Sequence, residues 1–242
     1  MNQTRPGILQ LNPDDVADLA IVVGDPNRAR GLAEVMEDAR LLSNPREYHT
    51  YAGRWKGKPI TVSSHGVGGG GASICFEELI QAGVKVIIRA GTCGSFRPEY
   101  REGSLIIATG AVRNDGVSEN LIPLNYPAIA DYQIVSLLVE TARLHRDVNF
   151  GVGLCVSDGV FYGGLRDTQH ERWAEAHVLA VEMEVATLLT IAGIRGIRAG
   201  AILNVDNYIF ERETYLPDRD VVHQGTARML QIVLDTIIQV DV

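Results

Sequence analysis

A chain of 242 residues is long enough for one large domain with a sizeable buried core. Its 46% hydrophobic and 21% charged residues are ordinary for a globular protein, and a formal net charge of −8 argues against nucleic acid or an acidic membrane surface as the main partner. No apolar run approaches the roughly 18 residues that span a bilayer, and "MNQTRPGILQLNPDD" holds no apolar signal core, so a cytoplasmic protein is expected. Cys75, Cys93 and Cys155 lie in apolar or glycine-rich runs without metal-ligand spacing and read as buried thiols of a reducing compartment.

In chain order, "LAIVVGD" (19–25) predicts a buried strand, and "PNRARGLAEVME" (26–37) a helix with Pro26 at its first position and Asp25 as cap. "REYHTYAGRWKGKPITVSS" (46–64) predicts a hairpin turning near Lys56-Gly57-Lys58. A glycine-rich stretch, "SSHGVGGGGAS" (63–73), leads into a helix over 72–82 and then a strand, "VKVIIRAG" (84–91). "SLIIATGAV" (104–112) is a further strand, followed by an irregular segment over 114–129. A helix over 130–145 precedes the strand "VNFGVGLCVSD" (148–158). The chain closes with strand 178–183, helix 184–194, strand 197–205 and a long amphipathic helix over about 219–240. Strands without alternation, separated by helices, indicate an α/β fold: one domain over 1–242, with a mostly parallel mixed central sheet flanked by helices on both faces.

Gly66, Gly68 and Gly71 satisfy the G-x-G-x-x-G spacing of dinucleotide sites. That motif belongs after the first strand, with an acidic residue about 20 positions on. Here at least two strands precede it, and the next strand carries Arg89. A nicotinamide-dependent oxidoreductase therefore fits poorly, and the glycines read as a place of close backbone approach. Three arginines stand beside backbone suited to an anion. Arg28 is on the first turn of a helix opened by Gly24-Asp25-Pro26, Arg46 starts the hairpin in "NPREY", and Arg89 precedes Thr92 and the glycines of "IIRAGTCGS". Strand C-terminal ends are where open α/β sheets bind ligands, and guanidinium forks match phosphate.

"VVGDPNR", "NPREY", "SHGVG", "KVIIRAGTCGS", "VEMEVATL" and "ILNVDN" resemble, in content and order, the type-I nucleoside phosphorylases, the hexameric purine nucleoside and uridine phosphorylases. The resemblance spans about residues 18 to 240. It implies a phosphate site from Gly24, Arg28, Arg89 and Thr92, with Arg46 lent by a neighbouring subunit, so that the active unit is at least a dimer and, by family habit, a hexamer of three dimers. It implies a ribose site from Val67, Met183 and Glu184, the glutamate accepting from both sugar hydroxyls. It implies a base site from Cys93, Gly94, Phe161, Glu182 and Asp206. The reaction is phosphorolysis of a nucleoside, with inorganic phosphate as co-substrate, no cofactor and no metal. Glu47 and Val67 match two positions of a structural cation site known in some uridine phosphorylases, but Gly71 replaces its serine.

Asp206 favours a purine substrate of the inosine or guanosine type, because purine-specific relatives carry an aspartate there that, protonated, donates to N7. Uridine phosphorylases instead read uracil with a Gln and an Arg after the Phe-Tyr pair; "FYGGLRDT" supplies Arg166 and no matching glutamine. Two departures stand out. Ile8 occupies the nearest match to a histidine that many relatives place on the neighbour's ribose 5′-hydroxyl, which raises the alternative of a 5′-methylthio substrate. Val222 falls where some bacterial purine enzymes carry an arginine that helps the aspartate give up its proton, so Asp206 is expected to act without that help, below a loop over 207–221. Related hydrolases do not need the three arginines, and a non-catalytic nucleoside-binding relative does not need Glu184 and Asp206.

Overall fold

The computed structural model describes residues 7–165, 167–211 and 216–242. The first half contains β1 (Leu19–Val23), α1 (Pro26–Val35), β2 (Glu37–Ser43), β3 (Thr50–Trp55), β4 (Lys58–Ser64), α2 (Gly69–Gln81) and β5 (Val86–Ser95). The second half contains β6 (Leu105–Asn114), β7 (Ala128–Ile129), α3 (Tyr132–Leu144), β8 (Phe150–Asp158) and α4 (His170–Glu175). It ends with β9 (Ala180–Glu182), α5 (Val185–Arg195), β10 (Arg198–Tyr208) and α6 (Arg219–Ile237). The strands form one mixed sheet in the order β10-β6-β8-β9-β5-β1-β4-β3-β2, with β7 on β6. Because β10 also pairs with β5, the strands β5, β10, β6, β8 and β9 close into a ring, and β1, β4, β3 and β2 extend from it as a wing.

The central strands are apolar throughout because both faces are covered. Along β1, Ala20 and Val22 pack into one core with Phe76 and Leu79 of α2 and Leu188 and Ile191 of α5. Leu19, Ile21 and Val23 pack into the other, with Leu32 of α1, Ile134 and Leu138 of α3 and Ile232 and Val233 of α6. Parallel pairs (β1 with β4 and β5, β5 with β10, β6 with β8) build the centre, while antiparallel pairs enter through the β2–β3–β4 hairpins, β7, β9 and the β6–β10 contact. The expected hairpin turn is present: Lys56 and Gly57 both have positive φ, at 49° and 78°, which suits a two-residue turn between right-twisted strands.

Local chemistry sets the element ends near the site. Asp25 accepts a hydrogen bond from Asn27 N at 2.8 Å and Pro26 takes the first turn, so α1 starts immediately after β1. The glycine-rich stretch starts α2 earlier than expected. Gly68 is the cap, and a side chain at Gly69 would collide with Thr187 Oγ1 of α5, so the glycines serve close approach of two helices. β5 and β10 run past their expected ends because each pairs with the other through Thr92–Asn204, Cys93–Val205, Gly94–Asn207 and Ser95–Tyr208. Pairing here overrides the low strand propensity of Gly91 to Ser95. Two elements carry no readable pattern: β2 is an edge strand with a largely exposed row of side chains, and α4 is short.

Gly225 sits inside α6, where alanine would ordinarily stabilise a helix by about 1 kcal/mol. An added Cβ there would lie 2.5 Å from Gly103 Cα and against Asn204 Oδ1. Gly225→Ala is expected to lose about 1–2 kcal/mol net by overpacking and to lower the melting temperature; a higher melting temperature than that of the wild type would remove this contact from the account of α6 docking.

Candidate active site

At the centre of the site is Arg89, midway along β5 and only 3% exposed. One guanidinium nitrogen, Nη2, contacts Glu184 Oε2 and lies 3.5 Å from Glu182 Oε2. Its Nε and Nη1 are buried without a hydrogen-bond partner, so the guanidinium presents unspent donors. Glu184 caps the N-terminal side of α5, and its other oxygen accepts from Gly68 N at 2.5 Å. Burial raises the Glu184 carboxyl, but the Arg89 charge, together with His65 and the Gly68 N–H, outweighs it and holds the group below the usual carboxylate range.

Glu182 faces inward. Its carboxylate accepts from Glu184 N at 2.7 Å, from Val185 N at 3.0 Å and from Ser157 Oγ, which caps α5 and leaves nothing facing a base. Burial pushes this carboxyl up, against the pull of Arg89. Cys93 is likewise turned into the core, a neutral thiol raised by burial and directed at Asn204 O at 3.8 Å. The side chains of Glu182 and Cys93 are thus both buried and engaged within the protein, on the face of the sheet that also carries Arg89. The neighbouring Thr92, Gly94 and Met183 are half-buried.

Arg28 projects from the first turn of α1 into the same region. Burial lowers its pKa; Asp25 opposes this, Arg89 adds to it, and the charge of Asp206 opposes it again, so the two arginines and Asp206 share one electrostatic neighbourhood. Gly24 closes the floor: its carbonyl accepts from Gly66 N at 3.0 Å, and a side chain there would come within 3.3 Å of Gly66 O.

Asp206 lies within β10, where the register with β5 skips from Val205 to Asn207. The bulge turns Asp206 out of the pairing pattern, and its Oδ1 accepts from Arg219 Nη1 at 2.7 Å. This corrects the reading of Val222. That residue is buried within α6, and the arginine belongs one turn earlier, at the first helical position after the cap Asp218. Strand β10 also takes the beginning of the expected 207–221 loop, through Tyr208; residues 212–215, like Arg166, lie outside the described residues.

The remaining expected residues are exposed. Val67 and Phe161 are 79% and 76% exposed. Arg46 is exposed on the turn before β3, with φ 55°. Glu78 of α2 holds the N-terminal segment through Ile8 N and Leu9 N at 2.8 and 2.7 Å, leaving the Ile8 side chain partly exposed. Sequence reasoning missed two features. Asp158 joins Asn114 Nδ2 at 2.7 Å and His170 Nε2 at 2.9 Å, tying together the two ends of the segment that carries Phe161. His65, following β4, is completely buried against Phe76 with neither ring nitrogen bonded.

Comparison with known proteins agrees with this geometry. A family model described as the phosphorylase superfamily matches residues 18–238. The chain belongs to the nucleoside phosphorylase family. It is 37% identical to a guanosine phosphorylase of Halorubrum lacusprofundi over 82% of this chain and 81% of the relative. It is 35% identical to a purine nucleoside phosphorylase of Plasmodium falciparum over 93% of each, and 34% identical to a uridine phosphorylase of Haemophilus influenzae over 90% of each. Among solved structures, a purine nucleoside phosphorylase of Toxoplasma gondii in complex with immucillin-H superposes with a TM-score of 0.91 at 30% identity, covering 98% of this chain and 97% of that one. A uridine phosphorylase of Vibrio fischeri ES114 gives the same TM-score at 28% identity, covering 99% and 100%. This nucleoside phosphorylase therefore acts on a nucleoside and phosphate, and its relatives divide between purine and uridine enzymes. No described helix is long and apolar enough to cross a membrane.

Burial, with the Arg89 charge beside it, pushes His65 down to about 3. Between its ordinary value near 6.5 and that value, the unfolded chain binds a proton that the folded chain does not. Stability is therefore lost as pH falls below about 6.5, at up to about 1.4 kcal/mol per pH unit. Urea unfolding at pH 7 and pH 5.5 is expected to show this loss in the wild type and a smaller one in His65→Gln; equal acid sensitivity in both would mean that the ring is protonated in the fold.

Proposed function

We propose that this chain is a purine nucleoside phosphorylase, cleaving inosine- or guanosine-type ribo- and 2′-deoxyribonucleosides with phosphate to free base and pentose 1-phosphate. The observation that carries the reading is Asp206, turned outward by the bulge in β10, held by Arg219 and electrostatically linked to Arg28. Phosphate enters between Gly24, Arg28, Arg89 and Thr92, where Arg89 has donors to spare. Glu184 accepts from the sugar hydroxyls, Met183 and Val67 pack on the ribose, and Gly94 and Phe161 border the base.

In the reaction the C1′–N bond breaks as a phosphate oxygen bonds to C1′, through a transition state with positive charge on the sugar. The entering hydrogenphosphate loses one proton overall and the departing base gains one. Asp206, protonated, hands its proton to purine N7, and Arg219 stabilises the carboxylate left behind.

The protein works as a homo-oligomer in this reading, a dimer at least and a hexamer by resemblance, with Arg46 completing the neighbour's phosphate site. A groove of about 570 Å³ beside β6, lined by Leu124, Ile129 and Leu154, leaves apolar side chains open in the isolated chain and supports such assembly. The proposed setting is cytoplasmic purine salvage. Uridine phosphorylase is the second reading, favoured by a relative of that name at 34% identity beside 35% for a purine enzyme. A 5′-methylthio substrate is favoured by the apolar Ile8 alone.

Initial rates on inosine, guanosine, 5′-methylthioinosine and uridine, with and without phosphate, test these readings together. The expected result is phosphate-dependent cleavage of the 6-oxopurine nucleosides, with Asp206→Asn lowering kcat by about 10²–10³ at unchanged fold. Faster uridine cleavage, insensitive to Asp206→Asn, would move the assignment to the second reading.

A further inference from the structure

The two groups assigned to different substrates hold each other. Glu184 gives one oxygen to Gly68 N and the other to Arg89 Nη2, and both side chains are about 95% excluded from water. An anion that seats on the spare Nε and Nη1 and turns Nη2 with them takes from Glu184 the cation paired with it among the described residues, and a buried carboxylate without a partner is costly. Some other donor must then hold Glu184 in place for the sugar.

The structure contains one candidate that nothing else uses. His65 is wholly buried, its ring meets Phe76 edge-on at 5.4 Å between centroids, and its Cε1 lies 3.9 Å from where a Gly24 side chain would begin. Neither ring nitrogen has a hydrogen-bond partner, which is rare for a buried polar side chain. His65 lies on the same short loop as Gly68, whose N–H holds Glu184, and its backbone is tied to Val23 at the end of β1, next to Gly24; Arg89 and Glu184 both act on its charge. A neutral imidazole keeps one N–H donor and one acceptor, so it can meet a carboxylate without adding a buried charge.

We propose that His65 is a positioning residue that donates its ring N–H to Glu184 when Arg89 turns to the entering anion, keeping the carboxylate aimed at the sugar hydroxyls. This rests on the phosphorolytic reading of the site. It accounts for an orphaned histidine beside the sugar clamp, and it separates two effects that a packing role would join. Loss of the N–H should weaken the nucleoside and spare phosphate.

The test uses the full chain in its native assembly. His65→Phe keeps a ring of similar size and removes both nitrogens, while His65→Gln restores an amide donor. Steady-state kinetics with the preferred nucleoside, inosine or uridine, are read beside direct titration of inorganic phosphate without nucleoside. The expected result for His65→Phe is a nucleoside KM raised about tenfold or more, with the phosphate Kd within twofold of the wild type. His65→Gln should recover most of the loss, and His65→Phe should add little in a Glu184→Gln background. An unchanged nucleoside KM, a parallel rise in the phosphate Kd, or the full effect persisting without the Glu184 carboxylate would overturn the proposal. If His65→Phe does not fold, His65→Leu takes its place in the same comparison. A wild type that cleaves no nucleoside with phosphate overturns the phosphorolytic reading itself, whereas an active wild type indifferent to these substitutions overturns the role of His65 alone.

Discussion

A single guanidinium buried between two carboxylates organises this protein. Arg89 sits in the middle of a strand with Glu182 on one side and Glu184 on the other. Charges in such a place persist only when paired and hydrogen-bonded. Glu182 meets that demand by capping α5 and Glu184 by binding the backbone of the glycine loop. One charge thus fixes the register of β5, the start of α5 and the approach of the β4–α2 loop. The arrangement is fully satisfied on its carboxylate side and unsatisfied on its guanidinium side. That asymmetry distinguishes a binding site from a structural salt bridge.

The sheet topology makes the arrangement possible. Closing β5 against β10 brings the centre of one strand, the end of another and the N-terminus of a helix onto one small surface. The wing of β1 and β4 adds Gly24, Arg28 and the glycine loop from the other direction. Each group comes from a different part of the chain, either within a strongly apolar strand, as Arg89 and Asp206 are, or a short way beyond one, as Gly24 and Arg28 are. Hydrophobic burial on two faces positions the strands, and the polar residues are placed as a consequence.

Most of the fold was legible because its strands are buried on both faces and its helices carry plain caps, such as Asp25 before Pro26. The edge strand β2 escaped detection because exposure leaves no apolar pattern, and the far ends of β5 and β10 did so because only mutual pairing makes them strands. In the site, Arg28 and Arg89 were readable as arginines beside strand ends, while Glu184 and Asp206 entered only through the resemblance to the family. The engagement of Glu182 by Ser157 and of Cys93 by Asn204 was not readable, because those partners come from distant parts of the chain. Arg219 was not singled out, because only the folded chain brings the start of α6 to Asp206. His65 gave no signal at all, since a histidine among glycines shows neither its burial nor its missing partners.

The bulge at Asp206 has a consequence for how this scaffold diversifies. A bulged residue stands outside the ladder, so its identity is free of the demands that fix its neighbours. A change of residue there alters the face shown to the leaving base while β5, β10 and the buried ion cluster keep their geometry. On the proposed reading, base selectivity and the backbone geometry of the anion site are thus separable, and one can drift under selection without unsettling the other. Purine and uridine enzymes superposing equally well on this chain are what such uncoupling would leave behind.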